Sequence, residues 1–440
     1  MKIINKTVSE IINTEYREYA MYVLESRAIP SAIDGFKMVT RKLLYAMLTE
    51  HKGKKTKIAD LSGISKYNYH HSESSAAGAA ITITADWNNN CPIFTGHGSF
   101  GSRMVPAAAA PRYIFSSLSE NYNKIFCDLE VAPKAFDPEN PEPAFYLPII
   151  PWVLINEISG IAVGFKTAIL PHSVSDIIVA TKACLKNPKA FLEENKPIDP
   201  TFPQFNGTVV KHSETQWRTQ GKIQFIGKNF FQITELPIGW DREGYVTFLN
   251  ELVDKDLIKD YEDECSKSGF GFTIKVSIAQ RELIERDPLK YFKLEKIHTE
   301  ILTTLGVDGK LKIFQSVPEL IHYFCEYRLK KFAEKIEFDK VKITDEIKYL
   351  EDKQEFIQAV INGNLVIKDT SKQELLDYVF NKITQSEYGK GFIRIPLYEL
   401  TNDAVLELEN SIRKLITDLD KINMLTPEKV FREKLNSLKF

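Results

Sequence analysis

Two apolar stripes toward the C-terminal end constrain this chain more than any other feature. Leu329, Phe332, Ile336, Ile343, Ile347, Leu350, Ile357 and Ile361 recur at spacings of three, four or seven residues. Val405, Leu408, Ile412, Leu415, Leu419 and Ile422 follow a strict three-four alternation. A stripe of this kind keeps one face of a helix against a partner helix over many turns. Two of them joined by an intervening segment predict an antiparallel coiled coil with a small globule at its tip. A helical bundle is the plain alternative. Under either reading this third of the chain is scaffold.

The remainder carries other patterns. A length of 440 residues exceeds one ordinary core and predicts two to four domains. Residues 7–26 read as a helix that must end near Arg27-Ala-Ile-Pro30, because a proline disfavours helix at the residue before it. Val39, Leu43, Leu44 and Met47 then repeat at helical spacing while Lys37, Arg41 and Lys42 stay polar, which predicts an amphipathic helix with a basic face. Short helices are expected over 58–67 and 73–87. Three short helices with a basic edge suit a helix-turn-helix or winged-helix module. Strands at Gly207–Val210, Lys222–Phe225, Phe231–Glu235 and Phe272–Val276, with helices at 241–255 and 288–304, predict an α+β domain.

Charge points to a polyanion. The whole chain carries a net charge of −2, yet residues 27–125 hold twelve Lys/Arg against six Asp/Glu. A basic block in an acidic chain suggests one nucleic-acid-binding face, although a lysine-rich loop at Lys52, Lys54, Lys55 and Lys57 accounts for four of the twelve. No apolar run approaches the roughly 20 residues that span a membrane, and the N-terminus lacks a signal peptide's apolar core. Five scattered cysteines without a C-x-x-C predict a reducing, cytoplasmic setting, with neither a disulfide framework nor a structural zinc site.

The densest chemistry lies between Tyr69 and Tyr113: Y-H-H-S-E-S-S, G-H-G-S-F-G-S-R, then four alanines and P-R-Y. The glycines formally match G-x-G-x-x-G, but Pro106 and Pro111 break the segment where a nucleotide-binding helix would follow. They read instead as a tight loop able to approach a phosphate. Tyr113 is a candidate nucleophile for DNA phosphodiesters. A tyrosine hydroxyl has a pKa of about 10, so it needs activation, and charge developing on the phosphate needs cations. Arg112 adjoins it, and Arg27, Lys37, His70, His71 and Arg103 are the further candidates. Adjacent histidines do not suit the metal pair of rolling-circle nucleases, and tyrosine recombinases place their nucleophile near the C-terminus. A non-enzymatic DNA-bridging protein remains open on these residues, though it leaves the Arg-Tyr pair without a role.

Five segments together carry a resemblance. R-A-I-P-S-A-I-D-G-F-K-M-V-T-R-K-L-L-Y-A-M, Y-H-H-S-E-S-S, G-H-G-S-F-G-S, A-A-A-A-P-R-Y and S-G-I-A-V-G resemble, in order and spacing, the signatures of the DNA breakage-reunion subunit of type IIA topoisomerases, the family to which the A chain of gyrase belongs. I-T-E-L-P-I-G-W-D-R-E-G-Y follows as a sixth, and the resemblance spans essentially the whole chain. It implies an α+β multidomain fold: an N-terminal helical arm (1–26), a winged-helix cleavage domain (27–130), a tower domain (131–315), a coiled coil (316–365 and 400–440) and a dimerising exit-gate globule (366–399).

The resemblance also implies roles. Tyr113 would become linked to a 5′ phosphate, Arg112 would hold the scissile phosphate, and His71, Arg27 and Lys37 would line the cleavage site. Ile161 would wedge between base pairs and bend the duplex. Arg41, His70, Ser74 and Arg103 are further expected DNA contacts. Mg²⁺ and ATP are expected through a large partner subunit carrying toprim and ATPase domains, since this chain has no Walker phosphate loop and the D-x-D at Asp418-Leu419-Asp420 falls on the coiled-coil seam. The expected partners are double-stranded DNA, a second copy of the chain and that large subunit. Y-H-H-S-E departs from the family's Y-H-P-H-G-D. Glu157 stands where gyrase has glycine, and Gly78 lies near gyrase's drug-contacting acid. Without gyrase's wrapping domain, relaxation and decatenation are expected rather than negative supercoiling.

Overall fold

A computed structural model of the protein describes residues 6–63, 72–135, 138, 140–227, 229–368 and 370–439. It divides into two compact units, Met1–Arg328 with Lys434–Phe440, and Leu329–Glu433. The architecture is α+β, with several small antiparallel sheets and one long helix, Val317–Ile361.

In the first unit a helical run starts at Val8–Ile11, where Thr7 and Glu10 form a reciprocal capping box. It continues through Arg17–Val23 and ends in a π-helical turn, Leu24–Ala28. It stops as the proline predicts: Ile29 is extended, with φ −102° and ψ 130°. Helices Met38–Thr49, Ile58–Ser62 and Glu73–Thr84 then accompany a three-stranded sheet of β1 (Thr56–Lys57), β2 (Phe94–His97) and β3 (Phe115–Leu118), ordered β1-β3-β2. Leu43, Leu44, Met47, Leu61 and Phe94 are fully buried there. The helix expected over 58–67 ends at Ser62, with Gly63 at its C-cap, and residues 64–67 lie outside the described residues. The one expected over 73–87 ends at Thr84 because Ala85 turns extended.

A hairpin follows, β4 (Ile158–Ile161) and β5 (Lys166–Ile169), with Ile161 opposite Lys166. Gly160 is needed in it: an added Cβ would lie 2.0 Å from the Ala28 carbonyl oxygen, so only glycine lets the hairpin pass the end of the helical run.

The expected α+β region is present in altered form. Strands β6 (Thr208–Ser213), β7 (Gln216–Gln220), β8 (Lys222–Phe225), β9 (Phe230–Glu235), β10 (Asp260–Asp263), β11 (Phe272–Lys275) and β12 (Glu295–Thr299) form two sheets, ordered β12-β7-β6 and β10-β11-β9-β8. Helix Arg242–Asp254 buries Tyr245 and Leu249 against Ile233, Phe272, Ile274 and Phe292. The helix expected over 288–304 is corrected. It runs only from Pro288 to Tyr291, because Lys293 takes a left-handed φ of 48°. The β-branched residues beyond join β12 and then β13 (Leu302–Leu305), which pairs with β14 (Leu311–Phe314).

The second unit follows the apolar stripes. Phe332, Ile336, Ile347 and Ile357 are buried along the long helix, as are Val405 and Ile412 along helix Asn402–Asn423. Gln354 Nε2 donates to Glu409 Oε1 at 3.1 Å between these two helices. Phe356, Ile357 and Leu365 form one cluster with Val379, Phe392 and Val405. The second stripe does not continue unbroken to the end of the chain: a new helix, Pro427–Ser437, begins after Asn423, since proline cannot continue the earlier one. Asp418 pairs with Lys421 at 2.8 Å on that helix surface.

Candidate functional site

The glycine loop holds Tyr113 in place. Gly101 adopts a φ of +82°, and an added Cβ would lie 2.5 Å from the Pro106 carbonyl oxygen, so the loop folds back only with glycine here. Ser102 N–H donates to Val105 O at 2.8 Å, Ala109 N–H to Ser99 O at 3.0 Å, and Trp87 Nε1–H to Phe100 O at 2.9 Å. Pro111 and Ile114 on either side of the tyrosine accept backbone hydrogen bonds from Ala59 and Ile58, at 3.2 and 3.0 Å. Ile114 is buried and leads directly into β3, whereas Tyr113 is 65% exposed. The Arg112 guanidinium lies 4.8 Å from the centre of the Tyr113 ring. A solvent-facing phenol is thus fixed on a turn tied down on both sides, with a cation on its ring.

A cleft of about 770 Å³ opens elsewhere in the same unit, lined among others by Arg27, Lys37, Ser72, Ser75, Asn156 and Ser159. Lys37 Nζ donates to Ser159 O at 2.6 Å, and burial lowers its pKa below the usual lysine range. Arg27 lies 5.6 Å from the centre of the Tyr22 ring. Ser72 caps helix Glu73–Thr84 by accepting from Ser75 N–H at 3.2 Å, and its hydroxyl meets that of Ser74 at 3.0 Å. The N-terminus of a twelve-residue helix therefore faces the cleft, a favourable place for an anion. Neither Arg112 nor Tyr113 lines it. Ile161 ends β4 with 82% of its surface exposed, and Phe165, across the hairpin turn, is 39% exposed.

Other predicted residues are placed differently. Arg41 Nε donates to Asp34 Oδ2 at 3.4 Å and Arg41 Nη2 to Phe36 O at 3.1 Å; Lys42 is buried 3.7 Å from Glu142. The basic face expected on helix Met38–Thr49 is thus corrected, because buried acids draw both cations inward. Burial raises the Asp34 carboxyl, with Arg41 opposing. Arg103 donates to Glu235 Oε1 at 3.0 Å, to Gln204 O at 2.8 Å and to Leu236 O at 3.0 Å, away from the cleft. His70 and His71 lie outside the described residues.

Sequence reasoning missed a second basic concavity of about 640 Å³, which includes Arg218, Lys290, Lys293, Lys296 and Trp240. A smaller cavity shares Trp240 and Gly239 with it, and Asn88 and Glu157 with the first cleft. Three of the four cations, Lys290, Lys293 and Lys296, lie in one short run, and Arg218 joins them from the distant strand β7, so the run alone did not announce the concavity. Glu157 lines both the first cleft and the smaller cavity; burial raises its carboxyl and Lys296 opposes. Among the described residues no cluster of three or more His, Cys, Asp or Glu side chains is placed to hold a metal ion.

Residues 27–437 match the family that comprises the A chains of DNA gyrase and topoisomerase IV, and the protein belongs to that family. It is a DNA-cleaving and religating subunit of a type IIA topoisomerase. It is 37% identical over 420 residues to the DNA topoisomerase medium subunit of Enterobacteria phage T4, covering 93% of each chain. It is 30% identical over 456 residues to the mitochondrial DNA topoisomerase 2 of Dictyostelium discoideum, covering 98% of this chain and 35% of that one. Among solved structures it resembles the DNA-binding, cleavage and re-ligation domain of Plasmodium falciparum topoisomerase II, with a TM-score of 0.84, 27% identity and coverage of 97% of this chain and 63% of the other.

Proposed function

We propose that Tyr113 is the nucleophile of this subunit. Its Oη attacks the scissile phosphorus, a phosphotyrosyl bond forms to the 5′ phosphate, and the 3′ oxygen leaves as a free hydroxyl. The phenolic proton is lost on the way in and regained on reversal. The new bond retains the energy of the broken phosphodiester, so religation needs no further energy source. Arg112 holds the scissile phosphate beside the nucleophile. Arg27, Lys37, His71 and the N-terminus of helix Glu73–Thr84 serve the cleavage region, with His70 and Ser74 beside them.

The three helices and sheet β1-β3-β2 act as a winged helix, and the β6–β12 region acts as the tower. The duplex passes the first cleft and the basic concavity, and Ile161 wedges between its base pairs; an exposed isoleucine at a hairpin tip suits partial unstacking of a base step. The second unit forms the exit gate by pairing with a second copy of the chain. Leu397 and Tyr398, 81% and 77% exposed, are among the exposed apolar residues of that unit and serve that contact. The family uses Mg²⁺ and ATP. A large subunit with toprim and ATPase domains supplies them here, and the complex relaxes and decatenates DNA.

The observation that carries this reading is the exposed Tyr113 under the Arg112 guanidinium. The test is a trapping assay with 5′- or 3′-labelled duplex, Mg²⁺ and the large subunit, stopped with denaturant. Wild type is expected to yield a 5′-phosphate adduct that is absent in Tyr113→Phe. An adduct surviving that substitution places the nucleophile elsewhere.

A further inference from the structure

The chain enters its second unit after Arg328 and returns at Lys434. Both residues meet on one carboxylate. Asp128 Oδ2 accepts from Arg328 Nη2 at 2.8 Å, and Asp128 Oδ1 accepts from Lys434 Nζ at 3.0 Å. The Arg328 side chain is fully buried and that of Asp128 nearly so, at 0% and 3% exposed. The Cys127 thiol adds a third donor, 3.0 Å from Oδ2. Burial alone would raise the Asp128 carboxyl, but Arg328, Cys127 and Lys434 hold it below the ordinary range.

The backbone is committed to this arrangement as well. Asp128 adopts a left-handed conformation, φ 58° and ψ 38°, which non-glycine residues seldom take without compensation. A short 3₁₀ turn, Leu129–Val131, follows it. Just inside the second unit, Phe332 and Phe431 pack with their ring centres 4.9 Å apart, both fully buried. The outgoing and returning helices are therefore paired at their roots, and one acid from the loop after helix Glu120–Ile125 binds both.

We propose that Asp128 is a positioning residue for strand passage: it fastens both helical connections of the second unit to the cleavage unit, so that movement at one is transmitted to the other. The proposal rests on the second unit acting as the exit gate. Asp128 touches no reacting atom, so its loss leaves cleavage intact and uncouples it from passage.

The experiment uses the complex reconstituted with the large subunit. Asp128→Asn, Lys434→Met, the double variant and Lys434→Arg are compared for adduct yield, decatenation and ATP hydrolysed per decatenation. The expected result is at least a tenfold fall in decatenation for Asp128→Asn and Lys434→Met. Adduct yield should stay within twofold and ATP consumed per passage should rise. The double variant should be no worse than Asp128→Asn, and Lys434→Arg should retain activity. Unchanged decatenation in Lys434→Met and Asp128→Asn overturns the proposal, as does a proportional loss of adduct and decatenation, which marks a structural prop only. Wild type carrying Leu397→Cys, cross-linked between copies, separates the two readings. Blocked decatenation with cleavage retained supports the gate, and unaffected decatenation removes the gate reading and this proposal with it.

Discussion

The cations of the first unit divide into two sets that look alike in sequence and differ in every physical respect. Arg27, Lys37 and Arg112 lie in the cleft or beside an exposed tyrosine, with aromatic rings or a backbone carbonyl as neighbours. Arg41, Lys42, Arg103 and Arg328 each face an acid that is itself buried: Asp34, Glu142, Glu235 and Asp128. A positive charge that already faces a buried carboxylate has little attraction left for a phosphate. Part of the basic block thus holds the scaffold in shape instead of forming the expected DNA face.

Substitution should split the sets. The largest effect is expected for Arg103→Met, which leaves Glu235 buried without its cation; breaking such a pair costs about 3–5 kcal/mol. Thermal unfolding should show that loss, while adduct yield from protein still folded at low temperature should stay near wild type. Arg112→Ala should do the reverse. Removing one group that stabilises charge in the transition state lowers cleavage by about 10²–10³-fold, with little change in melting temperature. An equal fall in stability would erase the distinction.

Glu300 sharpens the contrast from the acidic side. Burial raises its carboxyl to about 7, and Lys211 opposes this only in part. The folded-state value lies above the ordinary 4.5, so the folded protein holds a proton that the unfolded chain releases. Stability is then highest below the unfolded value and declines as pH rises through 7. Glu300→Gln should remove the decline, stabilising by about 1–3 kcal/mol at pH 8 and far less at pH 5; denaturant titrations at the two pH values measure this. The smallest expected effect is Lys37→Met. Burial already disfavours its charge, so stability should move by less than about 1 kcal/mol, while the salt dependence of duplex binding should lose about one unit of slope if Lys37 meets a phosphate.

The apolar stripes were legible because periodicity is a local property: Phe332, Ile357, Val405 and Ile412 are buried as their spacing requires. The end of the first helical run was legible for the same kind of reason, since Pro30 acts on its immediate neighbour. The helix expected over 288–304 failed because its later residues pack as strands, β12 beside the distant β7 and β13 in a hairpin with β14. The motif around Tyr113 was readable as chemistry, but its anchoring by Ile58 and Ala59 was not.

By itself, then, the sequence determined where the long periodic helices and the proline-bounded one could run, and which short segments carry polar and nucleophilic groups. Only the tertiary structure decided which cations meet a buried acid. Whether a lysine or arginine meets water, a phosphate or a buried acid depends on residues far away in the chain: Glu235 for Arg103, Asp128 for Arg328 and Lys434. Pairing of charges is a property of distance in space, and spacing along the chain carries no record of it.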